Sequence, residues 1–109
     1  MRLRLTPLAE QDLESIADYI ATDNPRRAIT FVQELRQQRQ RILLNPPGYR
    51  LRPELGDGIR SCAHGNYVIF FETNGMDVLV VRILHGARDL PAQFAADGGR
   101  PESHRSRES

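Results

Sequence analysis

With 109 residues, 39% of them hydrophobic and 27% charged, the chain has material for one globular domain with one core, and no apolar run approaches the roughly 18 residues that a membrane-crossing helix needs. The formal net charge is only +1, which argues against a broad nucleic-acid footprint, and the fifteen basic residues are all arginine, which removes lysine Schiff-base and general-base chemistry. A single cysteine, Cys62, allows neither an intrachain disulfide nor a thiolate metal clip, and "MRLRLTPLAEQ" lacks the apolar stretch of a signal peptide, so a cytoplasmic protein without metal or cofactor is expected.

"RLRLT" alternates and is short, so residues 2–6 read as a strand. "TP" follows: Thr6 suits a helix cap and Pro7 the first helical position, where a missing N–H costs nothing. Ala9, Leu13, Ile16, Ala17 and Ile20 then recur at helical spacing, which leaves Glu10, Glu14 and Asp18 outward. "DNP" repeats the device, with Asn24 as cap and Pro25 opening a second helix whose inner side carries Ala28, Val32, Leu35, Ile42 and Leu43, with Phe31 at its edge. "NPP" at 45–47 ends that helix, since proline cannot continue the hydrogen-bond ladder. Two helices joined so tightly form an antiparallel hairpin.

Charge divides along this hairpin. Residues 9–23 hold Glu10, Asp12, Glu14, Asp18 and Asp23 without one basic residue, whereas the stretch from Arg26 to Arg60 is mostly basic. A surface of mixed sign favours a protein partner over direct nucleic-acid binding. Arginine's planar fork suits carboxylates, phosphates and interfaces, although a GC-rich coding sequence produces the same bias.

"GYRLRPELGDG", residues 48–58, reads as a loop. Three strand candidates follow at 59–63, 67–73 and 77–84, with "GN" at 65–66 and "NG" at 74–75 as tight turns, the latter of type I′. If both are two-residue turns, His64 and Arg82 each stand opposite Tyr67, Cys62 and Val80 opposite Ile69, and Arg60 and Val78 opposite Phe71. One face then carries the row His64–Tyr67–Arg82, with Arg60 farther along, above an apolar middle. The other face, with Val68, Phe70, Leu79, Val81 and Ile83, is uniformly apolar and is the expected seat of the helical hairpin. The mixed face is expected to stay open for a partner, unless residues 88–109 fold back over it. His85 has the opposite parity to Arg82 and is expected on the other face. A helical turn is expected within 88–95. "DGGRPESHRSRES", residues 97–109, has nothing aliphatic or aromatic to bury and is expected to be a disordered tail, leaving 1–96 as the domain.

The strand, capped hairpin and meander, and above all "RPEL" at 52–55, "GIRS…G.YVIFF" and "RILHGARDL", resemble the ParE toxins of the ParE/RelE toxin superfamily over roughly residues 1–94. The resemblance implies an α+β fold in which the helical hairpin packs on a four-stranded, mainly antiparallel sheet, with the first strand beside the last. It also implies a type II toxin neutralised by a ParD-like antitoxin and acting as a non-enzymatic inhibitor of DNA gyrase. RelE-type relatives instead cleave mRNA on the ribosome, using lysines near the second strand, an arginine after the last strand and a tyrosine near the C-terminus. By that resemblance Gly56 and Gly58 stand at the lysine positions, Arg88 matches the arginine, and Phe94, which has no proton to exchange, replaces the tyrosine. A ribonuclease and a non-toxic antitoxin-binding remnant remain the alternatives. The expected contact residues for antitoxin or target are Arg60, His64, Tyr67, Arg82, His85 and Arg88, with no catalytic residue and no metal ligand assigned. Tyr67 and Arg82 equally read as a cross-strand cation–π pair, Arg88 and Asp89 as a local ion pair, and Cys62 as a small core residue.

Overall fold

A computed structural model of the chain describes residues 2–86. The elements are strand β1 (Arg2–Leu5), helices α1 (Pro7–Asp23) and α2 (Pro25–Leu44), a 3₁₀ turn (Pro46–Gly48), and strands β2 (Arg50–Leu51), β3 (Arg60–His64), β4 (Tyr67–Thr73) and β5 (Asp77–His85). The strands form one mixed sheet in the order β1-β5-β4-β3-β2, with β1 parallel to β5 and every other pair antiparallel. The first strand therefore lies beside the last, as expected. The sheet has five strands rather than four, because Arg50 and Leu51, inside the segment read as a loop, pair with Ser61 and Arg60. Among the described residues no helix is long and apolar enough to cross a membrane. The expected helical turn after residue 87 and the tail at 97–109 lie outside the described residues.

The two helix starts are built as the sequence dictates. Thr6 Oγ1 accepts the Ala9 N–H at 3.1 Å and its hydroxyl donates to the Val81 carbonyl at 3.0 Å, so one side chain both caps α1 and ties it to β5. Asn24 alone joins the helices. Its N–H donates to Ile20 O at 2.8 Å, closing α1, and its Oδ1 accepts the Arg27 N–H at 3.1 Å, opening α2. With one residue between them the helices have no choice but to fold back on each other.

The β3–β4 register is the expected one, from His64 opposite Tyr67 to Arg60 opposite Phe71. The β4–β5 register differs in two steps. A type I′ turn would need a positive φ at both Asn74 and Gly75, but only glycines take positive φ here, Gly75 at 89°. Asn74 instead flanks the turn, and its Oδ1 accepts the N–H groups of Met76 (2.9 Å) and Asp77 (2.8 Å). The turn centre moves to Gly75–Met76, which sets Thr73 opposite Val78 and Phe71 opposite Val80. One position on, a β-bulge intervenes: Phe70 faces Arg82, so Val81 is an extra residue without a partner in the ladder. Beyond it Ile83 stands opposite Ile69 and His85 opposite Tyr67. The expected Tyr67–Arg82 pair is thereby replaced, and the parity of residues 82–85 is reversed.

The helices also take the face opposite to the one expected. Ala9, Phe31, Leu35 and Ile42 pack on Cys62, Ile69, Phe71, Val78, Val80 and Ile83. This is the face with polar groups at one end, and it is buried because α2 brings polar partners for them. The uniformly apolar face, with Phe70, Val81 and Leu84, collects a second, smaller cluster with Leu55 and Ile59 from the 52–59 loop. The loop turns on Arg52, whose N–H donates to Ile59 O at 2.7 Å. An open mixed face awaiting a partner is therefore not a feature of the fold.

Because the Asn24 side chain caps α2, Asn24→Ala is expected to cost about 1–2 kcal/mol in urea unfolding, and Asn24→Asp or Asn24→Ser to restore most of it. Equal losses in all three variants would show that the loop, not the cap, holds the hairpin.

Candidate functional site

The bulge gathers a polar and aromatic row at one end of the sheet. β3 ends at His64, β4 begins at Tyr67 and β5 ends at His85, so three adjacent strands place these residues side by side on the helix face. The Gly86 N–H donates to Asn66 O at 2.8 Å and fastens the end of β5 to the β3–β4 turn. From above, α2 inserts Phe31. Its ring meets His64 edge-on at 5.6 Å between centroids and Tyr67 at 5.4 Å, and Tyr67 meets His85 at 5.2 Å.

One turn farther along α2, Glu34 Oε1 lies 3.3 Å from His64 Nε2. Arg27 forks onto the same carboxylate at 3.0 and 3.2 Å, donates to the Thr30 hydroxyl at 3.0 Å and lies over the Phe31 ring. The hydrogen bond and charge of Arg27, helped by His64, hold the Glu34 carboxyl below the usual carboxylate range. Chemically the row offers two imidazoles on either side of a phenol, with a guanidinium–carboxylate pair behind one imidazole. His64 retains 15% of its side-chain exposure.

Arg82 is not in the row. It is 3% exposed, and its guanidinium grips Asp12 of α1 with Nε to Oδ2 at 2.7 Å and Nη2 to Oδ1 at 2.8 Å. The same Oδ2 accepts the Ile83 N–H at 3.0 Å. β1 has ended by this point, so Asp12 supplies the acceptor that a continuing strand would have given β5. Arg60, at the other end of β3, donates to the carbonyls of Tyr49 (2.7 Å) and Pro47 (3.3 Å) and pins the 3₁₀ turn. Arg88 lies outside the described residues, as do Asp89 and Phe94. Cys62 is buried; its sulfur accepts from Gln38 Nε2, and burial pushes its thiol pKa up, so it behaves as a core residue. Among the described residues no group of three or more His, Cys, Asp or Glu could hold a metal ion.

Of the six expected contact residues, then, the structure joins His64, Tyr67 and His85, and sends Arg60 and Arg82 to separate structural ties. Four important residues were missed. Asp12 carried a signal, since it lies between Ala9 and Ile16 on the inner phase of its helix, where a carboxylate must find a buried partner. Phe31 reads from the sequence only as an edge residue of α2, and nothing in the sequence singles out Arg27 or Glu34. Away from the row, a cleft of about 160 Å³ opens where α1 and α2 meet over Ile69, Val80 and Ile83, with Arg36 and Arg39 among its lining.

Removing one partner of a buried ion pair strands the other, so Asp12→Asn is expected to destabilise the fold by about 3 kcal/mol. Asp12→Ala should cost roughly 1 kcal/mol more, because it also leaves the Ile83 N–H without an acceptor. Denaturant unfolding of both checks the ordering. Glu34, with its depressed pKa, adds stability above the ordinary carboxylate pKa of 4.5 that is lost as pH falls through the lowered value. Acid unfolding should therefore be less steep in Glu34→Gln than in the parent.

A family model described as "ParE toxin of type II toxin-antitoxin system, parDE" matches residues 3–90. No curated protein matches the sequence. Among solved structures, the chain resembles one from the chromosomal ParDE toxin–antitoxin system of P. aeruginosa, with a TM-score of 0.68, 24% identity, and coverage of 78% of this chain and 95% of that one. It also resembles one from the RelBE2 toxin–antitoxin complex of Mycobacterium tuberculosis, with a TM-score of 0.54, 23% identity, and coverage of 80% and 92%. At such identities these two likenesses speak for the fold, whereas the sequence match spans most of the chain: it belongs to the ParE toxin family of type II toxin–antitoxin systems.

Proposed function

We propose that this ParE-type toxin acts in the cytoplasm by binding and inhibiting DNA gyrase, and that a ParD-like antitoxin neutralises it by forming a hetero-oligomer. The observation that carries a binding rather than a catalytic mode is that the arginines of β3 and β5, and the one behind the polar row, are all engaged. Arg82 is neutralised by Asp12, Arg27 by Glu34, and Arg60 is spent on backbone carbonyls. Metal-independent cleavage of RNA needs cations gathered around the developing phosphorane charge, and the arginines of these strands and of the row are spent on other partners. His64, Tyr67 and His85 serve in this reading as a contact end of the sheet, with Arg88 following them in sequence. Arg60 and Arg82 serve the fold instead, at the 3₁₀ turn and at Asp12.

A second reading has one specific observation behind it. The row His64–Tyr67–His85 presents two titratable imidazoles across a phenol, which a ribonuclease of the RelE type could use as general acid and base in place of the missing tyrosine.

One experiment separates the two. Purified toxin added to gyrase and relaxed plasmid, with and without ATP, is expected to abolish supercoiling and accumulate linear DNA at micromolar concentration, and co-purified antitoxin is expected to reverse both. Intact supercoiling together with mRNA cleavage on ribosomes that is lost in His64→Ala/His85→Ala would overturn the gyrase reading in favour of the second.

A further inference from the structure

The turn between β4 and β5 holds an asparagine followed by a glycine, Asn74 and Gly75, and both are exposed. The Asn74 side chain is folded forward over the turn, because its Oδ1 accepts the N–H groups of Met76 at 2.9 Å and Asp77 at 2.8 Å. The one backbone nitrogen that lies along the chain between Asn74 and those contacts is that of Gly75. An amide carbon, Cγ of Asn74, is thus held above the nitrogen of the next residue.

That nitrogen is ready to react. Among the described residues the Gly75 N–H has no hydrogen bond, so none has to break when its proton leaves. Gly75 has no side chain to shield it, and nothing lies within 4 Å of where a Cβ would stand. Its φ of 89° is one that side-chain-bearing residues rarely adopt, so the turn itself keeps a glycine beside the asparagine. The carbonyl it faces is prepared as well. The two N–H groups on Oδ1 stand at distances suited to an oxyanion and remain in place as negative charge develops there. The other three asparagines lack this arrangement: Asn24 and Asn45 precede prolines, whose nitrogens carry no hydrogen, and Asn66 precedes Tyr67 at the start of β4.

We propose that Asn74–Gly75 is a site of spontaneous covalent modification, at which the side-chain amide is lost and the turn is rebuilt as aspartate or isoaspartate. The Gly75 nitrogen gives its proton to hydroxide or water and bonds to Asn74 Cγ. The Cγ–Nδ2 bond breaks, and ammonia leaves with a proton taken from solvent. The product is a five-membered imide. Water opens it at Cγ to leave aspartate, or at the main-chain carbonyl to leave isoaspartate, in which the chain runs through the side chain. No electrons are transferred, and water is the one co-reactant. Aspartate keeps an oxygen for the Met76 and Asp77 N–H groups. Isoaspartate adds one carbon to the backbone beside the Thr73–Val78 pair, where the β4–β5 register begins. The modification therefore reaches the strand pairing that leads to the bulge.

The test incubates the intact chain at mildly alkaline pH beside a synthetic peptide of residues 71–78. Both are followed by peptide-mapping mass spectrometry and by methyl transfer from an isoaspartyl-specific methyltransferase. The segment with Asn74 is expected to gain the mass of a hydroxyl in place of an amino group and to become a methyl acceptor. Its rate is expected to stay within about tenfold of the free peptide's and at least about tenfold above that at Asn66, since the oxyanion donors are kept in the fold. Asn74→Ser, which keeps a side-chain acceptor for the turn, is expected to abolish both signals. Separated by ion exchange, the isoaspartyl chain is expected to unfold at lower urea than the aspartyl chain, which should match Asn74→Asp. An intact chain that stays unmodified while the peptide is fully converted, or equal modification at Asn66 and Asn74, would overturn the proposal. Equal unfolding of the two products would overturn its consequence for the register.

Discussion

Where β1 stops at Leu5, β5 runs on past it, and its edge is taken over by a single carboxylate. Asp12 accepts the Ile83 N–H and both arms of the Arg82 fork, so a side chain from the helix layer does the work of a strand. Much else follows from that substitution. It closes an edge that would otherwise present a bare backbone, holds α1 down on the sheet, and neutralises an arginine that is almost wholly buried. Thr6 reinforces it one turn earlier by capping α1 and donating to Val81 at the same time. The start of α1 and the middle of β5 are therefore positioned as one unit.

The bulge at Val81 sits inside this unit, and the two features depend on each other. An extra residue in β5 moves the strand by one side-chain position, which brings Ile83 onto the helix-covered face and His85 beside Tyr67. Without it, the register set by the turn would place Arg82 opposite Ile69 on the helix-covered face and Leu84, in place of His85, beside Tyr67. The polar row and the buried ion pair are thus two outcomes of one irregularity. Bulges recur beside functional surfaces for this reason, since they re-aim side chains without altering the rest of the sheet.

The hairpin then works in two directions. Its inner side supplies Phe31, Leu35 and Ile42 to the core and Glu34 and Arg27 to the polar row. Its outer seam holds Arg36 and Arg39 over an apolar cleft, with no ion pair or hydrogen bond to either guanidinium among the described residues. This fold presents two chemically distinct surfaces along a single helix, one with Phe31 beside rings and imidazoles and the other with the guanidinium groups of Arg36 and Arg39.

Local chemistry is legible wherever it depends on neighbours in the chain. Thr6-Pro7, Asn24-Pro25 and the prolines after Asn45 mark the helix ends, and alternation identifies every strand but the two-residue β2, together with the β3–β4 register, because caps, proline geometry and pleat period act over a few residues. The motifs around "RPEL" and "RILHGARDL" pointed to the family for the same reason. What the sequence could not settle by itself was decided by competition across the fold. Asn74 used its side chain to flank the turn rather than occupy it, and Val81 was expelled from the ladder. The helices buried the mixed face because Glu34, Arg27 and Phe31 arrive there from a distant helix to match His64 and Tyr67. A pattern of polar and apolar letters records which groups need partners; only the tertiary structure brings the partners, since a carboxylate at position 12 and a guanidinium at 82 become a bond through packing and not through proximity along the chain.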